Sequence, residues 1–192
     1  MSNLIVRLVE GALGHSYYPH QLAFLIDNPL RRLLITPEEI ARRLDVGAHS
    51  RVLEIGPGSG FFSVELARRA ARVELFDLQP EMLAKARAKL RAKGNVGFTA
   101  GDARQLPYAA GSFDRALLVA VLGEVPEPER CLSAVHGVLA PGGLVAVHEQ
   151  LPDPDLIPPE RLQAMLSAAG FRFVQRWGRA WNYTALFRRP AT

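Results

Sequence analysis

Residues Arg51–Gly60 read RVLEIGPGSG. A short apolar run carries one acid, Glu54, and ends in a turn with glycine at three alternate positions, Gly56, Gly58 and Gly60. Glycine loses more conformational freedom on folding than any other residue. Three in one turn therefore point to a backbone that something approaches closely. A turn between a strand and a helix also gathers free N–H groups, which suit an anion such as phosphate. The spacing is G-x-G-x-G, not the G-x-G-x-x-G of dinucleotide sites, and no G-K-[ST] follows. Glu54, two residues before the turn, repels a pyrophosphate and suits a cationic group.

Strand and helix patterns alternate outward from this stretch. Thr36-Pro37-Glu38-Glu39 is a capping box with proline at its first helical position, opening a helix to about Leu44. Strands are expected at Arg51–Ile55, Val73–Phe76, Val96–Thr99, Phe113–Val121 and Leu144–His148. The run at 113–121 is apolar almost throughout, as in a strand covered on both faces. Helices are expected at Phe61–Ala71, at Pro80–Lys93 before Gly94, at Pro128–Leu139 and at Pro159–Ala169 before Gly170. Pro141-Gly142-Gly143 reads as a turn. Phe171–Trp177 and Trp181–Phe187 read as a closing hairpin about Gly178-Arg179-Ala180. This alternation predicts one α/β domain over residues 1–192: a mostly parallel sheet with helices on both faces and an antiparallel last strand. Residues 1–35 precede the repeating units. With His15, Tyr17, Tyr18, Pro19 and His20, they are expected to form a helical cap over the carboxyl ends of the strands, where ligands bind in such sheets.

Composition sets the outer limits. The chain has 192 residues, 48% hydrophobic and 22% charged, a globular balance. No apolar run reaches the roughly 18 residues of a membrane span, and no leader pattern opens the sequence, so a cytoplasmic location is expected. Cys131 is the only cysteine, which excludes an internal disulfide and a thiolate metal cluster. The net charge of +4 comes with scattered arginine pairs that read as solvated helix faces. Nucleic acid is therefore not the expected partner, and no metal is expected.

Two more acids complete a pattern with Glu54. Asp77 ends the second strand, 17 residues after Gly60, within reach of a ribose diol. Asp102, in Gly101-Asp102-Ala103, follows the third strand, where it can accept from an adenine amino group. Three acids after three successive strands line one sheet edge and suit an adenosine bearing a positively charged tail.

LEIGPGSG, FDLQPEML, AGDARQLPYAAGSFDRALLVAVLGEV and VLAPGGLVAVHE, in that order, resemble the class I S-adenosylmethionine-dependent methyltransferases. The chain is most similar to the small ubiquinone- and menaquinone-biosynthesis-type group, and the resemblance covers residues 48–189. It implies a three-layer, Rossmann-like, seven-stranded sheet and methyl transfer from S-adenosylmethionine to a small or medium-sized metabolite, leaving S-adenosylhomocysteine. It also implies residue roles. Glu54 and the Gly56, Pro57, Gly58 and Gly60 backbone approach the methionine moiety. Asp77 accepts from the ribose, and Leu78 packs by the adenine. Asp102 takes the adenine amino group, and the Ala103 N–H meets the ring. Ala120–Leu122 passes under the sulfonium.

Methyl transfer needs positioning more than a fixed catalytic constellation, and a base only where the nucleophile must lose a proton. Relatives often carry L-H-H-V after the fourth strand. Here the stretch is Leu122-Gly123-Glu124-Val125, a departure that bears on the acceptor. Glu124 is a candidate for binding a cation or taking a proton, and equally a candidate cap for the helix at Pro128. His148 or Glu149, at the end of the fifth strand, and His20, from the cap, are further candidates. Trp181 and Tyr183 read as core. Two other functions stay open at this point: methylation of RNA, and S-adenosylmethionine binding without transfer.

Overall fold

The structure is a computed structural model and describes residues 35–191. The expected cap over residues 1–35, with His15, Tyr17, Tyr18 and His20, lies outside the described residues but for Ile35.

Among the described residues, α1 (Pro37–Arg43) opens as its capping box predicts: Thr36 Oγ1 accepts from the Glu39 N–H at 3.1 Å. Then follow β1 (Arg51–Ile55), α2 (Ser63–Arg69), β2 (Arg72–Asp77), α3 (Pro80–Leu90), β3 (Val96–Ala100) and β4 (Phe113–Val119). The chain continues through α4 (Pro128–Val138), β5 (Leu139–Gln150), α5 (Pro159–Ala168), β6 (Arg172–Arg179) and β7 (Asn182–Arg188). The seven strands form one sheet in the order β3-β2-β1-β4-β5-β7-β6. Every neighbouring pair from β3 to β5 is parallel, and β7 runs antiparallel to both β5 and β6.

Alternating strand residues feed two cores, one on each face. Val52, Val73, Leu75, Leu117 and Ala146 pack with α1, α2 and α3 through Ile40, Leu66 and Ala86. Leu53, Ile55, Leu118, Val145 and Val147 pack with α4 and α5 through Leu132, Val135 and Leu162. Cys131 fills this second core as a small apolar group, and burial pushes its thiol up to about 12.

Three expectations change. The Pro141–Gly143 turn is absorbed into the start of β5, because the Gly142 N–H bonds to the Arg189 carbonyl and the Arg189 N–H to that of Gly143. The last hairpin turns at Ala180–Trp181, since Arg179 pairs with Asn182 and Gly178 with Tyr183 inside the ladder. Trp181 is therefore a turn residue, 46% exposed, whereas Tyr183 is fully buried as expected.

Leu117 is fully buried at the middle of β4, between β1 and β5. Leu117→Ala should cost about 2–5 kcal/mol through lost burial and the cavity left behind. Urea unfolding should show this as a lower midpoint with an unchanged slope. A loss under about 1 kcal/mol would mean that the two cores do not share the sheet as described.

Candidate functional site

Because the strands from β3 to β5 are parallel, their carboxyl ends share one edge. Backbone bonds extend the ladders past the strand ends: Gly56 N–H to the Phe76 carbonyl at 2.8 Å, Gly101 N–H to that of Asp77 at 2.9 Å, and Ala120 N–H to that of His148 at 2.8 Å. These three bonds set the glycine turn, Asp77, the Asp102 turn and Ala120 side by side.

The glycines of the turn serve different ends, although all three have positive φ. A Cβ on Gly56 would lie 2.3 Å from Val121 Cγ2, so that glycine lets the end of β4 close over the end of β1. A Cβ on Gly60 would meet Ala86 of α3 at 3.2 Å. Gly58 differs: among the described residues, a Cβ there would have only Met82 Cε near it, at 3.8 Å. The close approach inferred from three glycines is thus met by the protein itself at two of them, and Gly58 leaves its side of the turn open to a ligand.

Asp77, at the end of β2, is 9% exposed. Its carboxylate accepts the backbone N–H groups of Gln79, at 2.9 Å, of Gly58 and of Leu78. Burial nonetheless dominates and pushes its pKa from 3.8 up to about 6. Leu78 beside it is 42% exposed, an apolar side chain at the edge that an aromatic ring can cover. Glu54 is buried under the start of α2, where Glu54 Oε2 accepts from Ser63 Oγ at 2.6 Å. Pro57 is buried in the turn.

Asp102 carries a partner that its spacing did not reveal. Arg104 binds both its oxygens, with Nη2 to Oδ2 at 2.6 Å and Nε to Oδ1 at 3.0 Å, and holds its pKa below the usual carboxylate range. Arg104 Nη1 also reaches Glu127 Oε1 at 2.9 Å, joining the Asp102 turn to the loop before α4. An i+2 arginine is a visible signal; its reach to Glu127, 23 residues on, is not. Ala103 lies partly buried beside the core. Ala120 holds a left-handed backbone, φ 51°, at the end of β4, a conformation unusual for a residue with a Cβ.

The remaining candidates separate. His148 and Glu149 point to opposite faces of β5. His148 is fully buried, with Nδ1 2.9 Å from Thr184 Oγ1 and Nε2 3.2 Å from Gln150 Oε1. Arg43 of α1 donates to the same Thr184 hydroxyl at 2.6 Å. Glu149 faces β7 and the loop after β5. Glu124 does not cap α4: the N-cap is Glu127, with φ 53° and no side-chain capping bond. Gly123 now has a reason. A Cβ there would lie 2.1 Å from the Asp155 carbonyl oxygen, so glycine lets the loop after β5 close onto the loop after β4.

A parallel sheet of this order with β7 reversed and a glycine turn after β1 is the Rossmann-like fold of methyltransferases. It superposes on a crystal structure of a SAM-dependent methyltransferase from Aquifex aeolicus with a TM-score of 0.83, at 19% identity, covering 90% of this chain and 100% of that one. A family model described as Methyltransferase domain matches residues 53–147. A demethylmenaquinone methyltransferase of Thermus thermophilus is 36% identical over 110 residues, 56% of this chain and 50% of that protein. Methyltransferase GfsG of Streptomyces halstedii is 35% identical over 114 residues, 57% of this chain and 41% of that protein. Residues 53–147 thus carry a methyltransferase domain, and the chain is similar in sequence and fold to S-adenosylmethionine-dependent methyltransferases. It spans about half the length of these curated relatives.

The glycine turn can be tested without ligand. Gly58→Ala adds a Cβ at positive φ with room to spare and should cost about 1–2 kcal/mol. Gly56→Ala adds the same strain and also displaces Val121, so its melting temperature should fall further. Equal losses would mean that Val121 does not rest on Gly56.

Proposed function

We propose that the chain transfers a methyl group from S-adenosylmethionine to a small-molecule acceptor, with the donor lying across the glycine turn at the carboxyl edge. The observation that carries this reading is the pairing of an open Gly58 with a buried Asp77 carboxylate bonded to its N–H. The residues present fit the cofactor. A diol can donate to Asp77, an exposed Leu78 is placed to flank an aromatic ring, and buried Glu54 suits the ammonium of an amino-acid tail. When bound, S-adenosylmethionine supplies a methyl already activated on a sulfonium.

The protein's own contribution is position. Gly58 leaves space for the ligand, and the Gly56–Val121 contact sets how closely the ends of β1 and β4 approach. Ala120, in its left-handed turn, borders the sulfonium side. Arg104 holds the Asp102 carboxylate in one orientation, so an adenine amino group meets an acid already fixed by an ion pair. The curated relatives carry acceptors such as demethylmenaquinone in their names. For this chain we keep the class, a small organic molecule, and not that member of it, because Leu122–Val125 departs from the histidine pair common among such relatives.

Calorimetry with S-adenosylmethionine should show binding at micromolar to millimolar concentrations, and label from the methyl-labelled compound should pass into a small-molecule extract. No binding would refute the assignment of the cofactor. Asp77→Asn should weaken the affinity at least about tenfold, since charge-assisted bonds are worth about 1.5–3 kcal/mol each.

The affinity of the wild type should also fall as pH drops through about 6, where Asp77 gains its proton. The unliganded protein should respond in the opposite sense. Its raised pKa means the folded chain holds a proton that the unfolded chain releases, so stability declines as pH rises from 3.8 to about 6. Asp77→Asn should remove both dependences. An affinity flat between about pH 5 and pH 7, one unit either side of that midpoint, would contradict the role given to Asp77.

A further inference from the structure

Glu149 is the last acid on β5 and is 0% exposed. Its Oε2 accepts the Ile157 N–H at 3.4 Å, while its Oε1 is buried with no hydrogen-bond partner among the described residues. A buried carboxyl oxygen without a partner is costly and calls for an explanation. The charges around it make the cost greater. Glu124 in the loop after β4, and Asp153 and Asp155 in the loop after β5, all act on Glu149 with the same sign. Burial first, and then these acids, push its pKa from 4.5 up to about 8. On β7, Tyr183 lies opposite Glu149 and spends its hydroxyl on the Ile157 carbonyl at 2.5 Å. Beyond Tyr183, Arg176 of β6 lies 3.8 Å from Glu160 of α5.

The position of this acid is as informative as its surroundings. Ala120 N–H bonds to the carbonyl of His148, so Glu149 begins one residue beyond the point where β4 and β5 part. Gly123 lets Asp155 close onto the β4 loop above it. The loop that carries Asp153 and Asp155 is largely exposed from Leu151 to Leu156, and the residue that follows it, Ile157, donates its N–H to Glu149. Four acids therefore converge where the acceptor must come if the donor lies over Gly58 and Ala120. One of them holds an oxygen that no described residue satisfies.

We propose that this acidic end of β5 is an ammonium subsite, and that the methyl acceptor is a cationic amine whose nitrogen sits against Glu149 Oε1. The assignment rests on the methyltransferase reading and gives it a substrate class. An ammonium ion supplies the missing donor and offsets the surrounding negative charge. Glu149 then accepts one N–H proton. The N–H bond breaks, an O–H bond forms at Oε1, and the electron pair stays on nitrogen, which becomes a neutral amine. A carboxyl with a pKa near neutrality is suited to this exchange.

Two measurements decide it. In the first, glutamate carboxyls are labelled with carbon-13 and titrated by NMR in the unliganded protein. One resonance, absent from Glu149→Gln, should titrate near pH 8. Adding n-propylammonium chloride should lower that midpoint by about one unit or more, as an adjacent opposite charge does. Potassium chloride at the same concentration should not. A midpoint indifferent to the amine, or moved equally by both salts, overturns the subsite and leaves the methyltransferase reading intact.

In the second, methyl-labelled S-adenosylmethionine is incubated with a small-molecule extract, and the products are separated by cation exchange near neutral pH. The labelled product should be retained. Glu149→Gln should lower its formation about a hundredfold while leaving calorimetric affinity for the cofactor unchanged. A labelled neutral or acidic product overturns the amine assignment alone. Cofactor binding with no labelled product at all contradicts the transferase reading, and the acceptor subsite with it.

Discussion

A carboxylate nearly out of water, Asp77, accepts backbone N–H groups from Gly58, Leu78 and Gln79. Much of the site depends on this one arrangement. It ties the end of β2 to the turn after β1 and keeps the turn open on the Gly58 side. The neighbouring bond from Gly56 N–H to the Phe76 carbonyl ties the same two strand ends in the same sense, with the donor again on the β1 side. Parallel pairing supplies the rest. Once β1, β2 and β4 share a direction, every chemically distinctive residue at a strand end falls on one edge.

That edge is electrostatically uneven. At the β2 and β3 ends the acids have backbone or arginine partners: Asp77 has three N–H groups, and Asp102 has Arg104. At the β5 end an acid lacks a partner on one oxygen among the described residues and is surrounded by others of its own sign. Acids held by fixed donors are suited to keeping hydroxyls and amino groups in place. An acid poised to gain or lose a proton is suited to a guest that brings one. The two ends of the edge are thus built for different ligands, and the left-handed Ala120 lies between them.

The fold was legible from the sequence because its signals are local and periodic. The capping box at Thr36, the glycine stops and the apolar strands all agree with one architecture, and the sheet follows from their alternation. Errors fell where a long-range backbone bond overrides a local turn signal, as when Arg189 captures Gly142 and Gly143. Glycine at 178 suggested a turn, yet the residue sits within the ladder two positions before the actual turn.

The site was legible in position and less so in partnership. Spacing put Asp77 and Asp102 at strand ends. Spacing could not show that Gly56 and Gly60 serve internal contacts, or that Arg104 engages Asp102 and Glu127 together. Nor could it choose between His148 and Glu149, which alternate in sequence but part to opposite faces of the sheet. The choice needs their neighbours, Thr184 and Gln150 for one and Ile157 for the other. The most direct measurement is a crystal structure of the chain with S-adenosylhomocysteine bound. The account predicts the ribose hydroxyls on Asp77, the base beside Leu78 and Ala103, and the sulfur between Gly58 and Ala120. A nucleoside lodged instead in the groove between α3 and β3, against Leu83, Arg87 and Phe98, would contradict it.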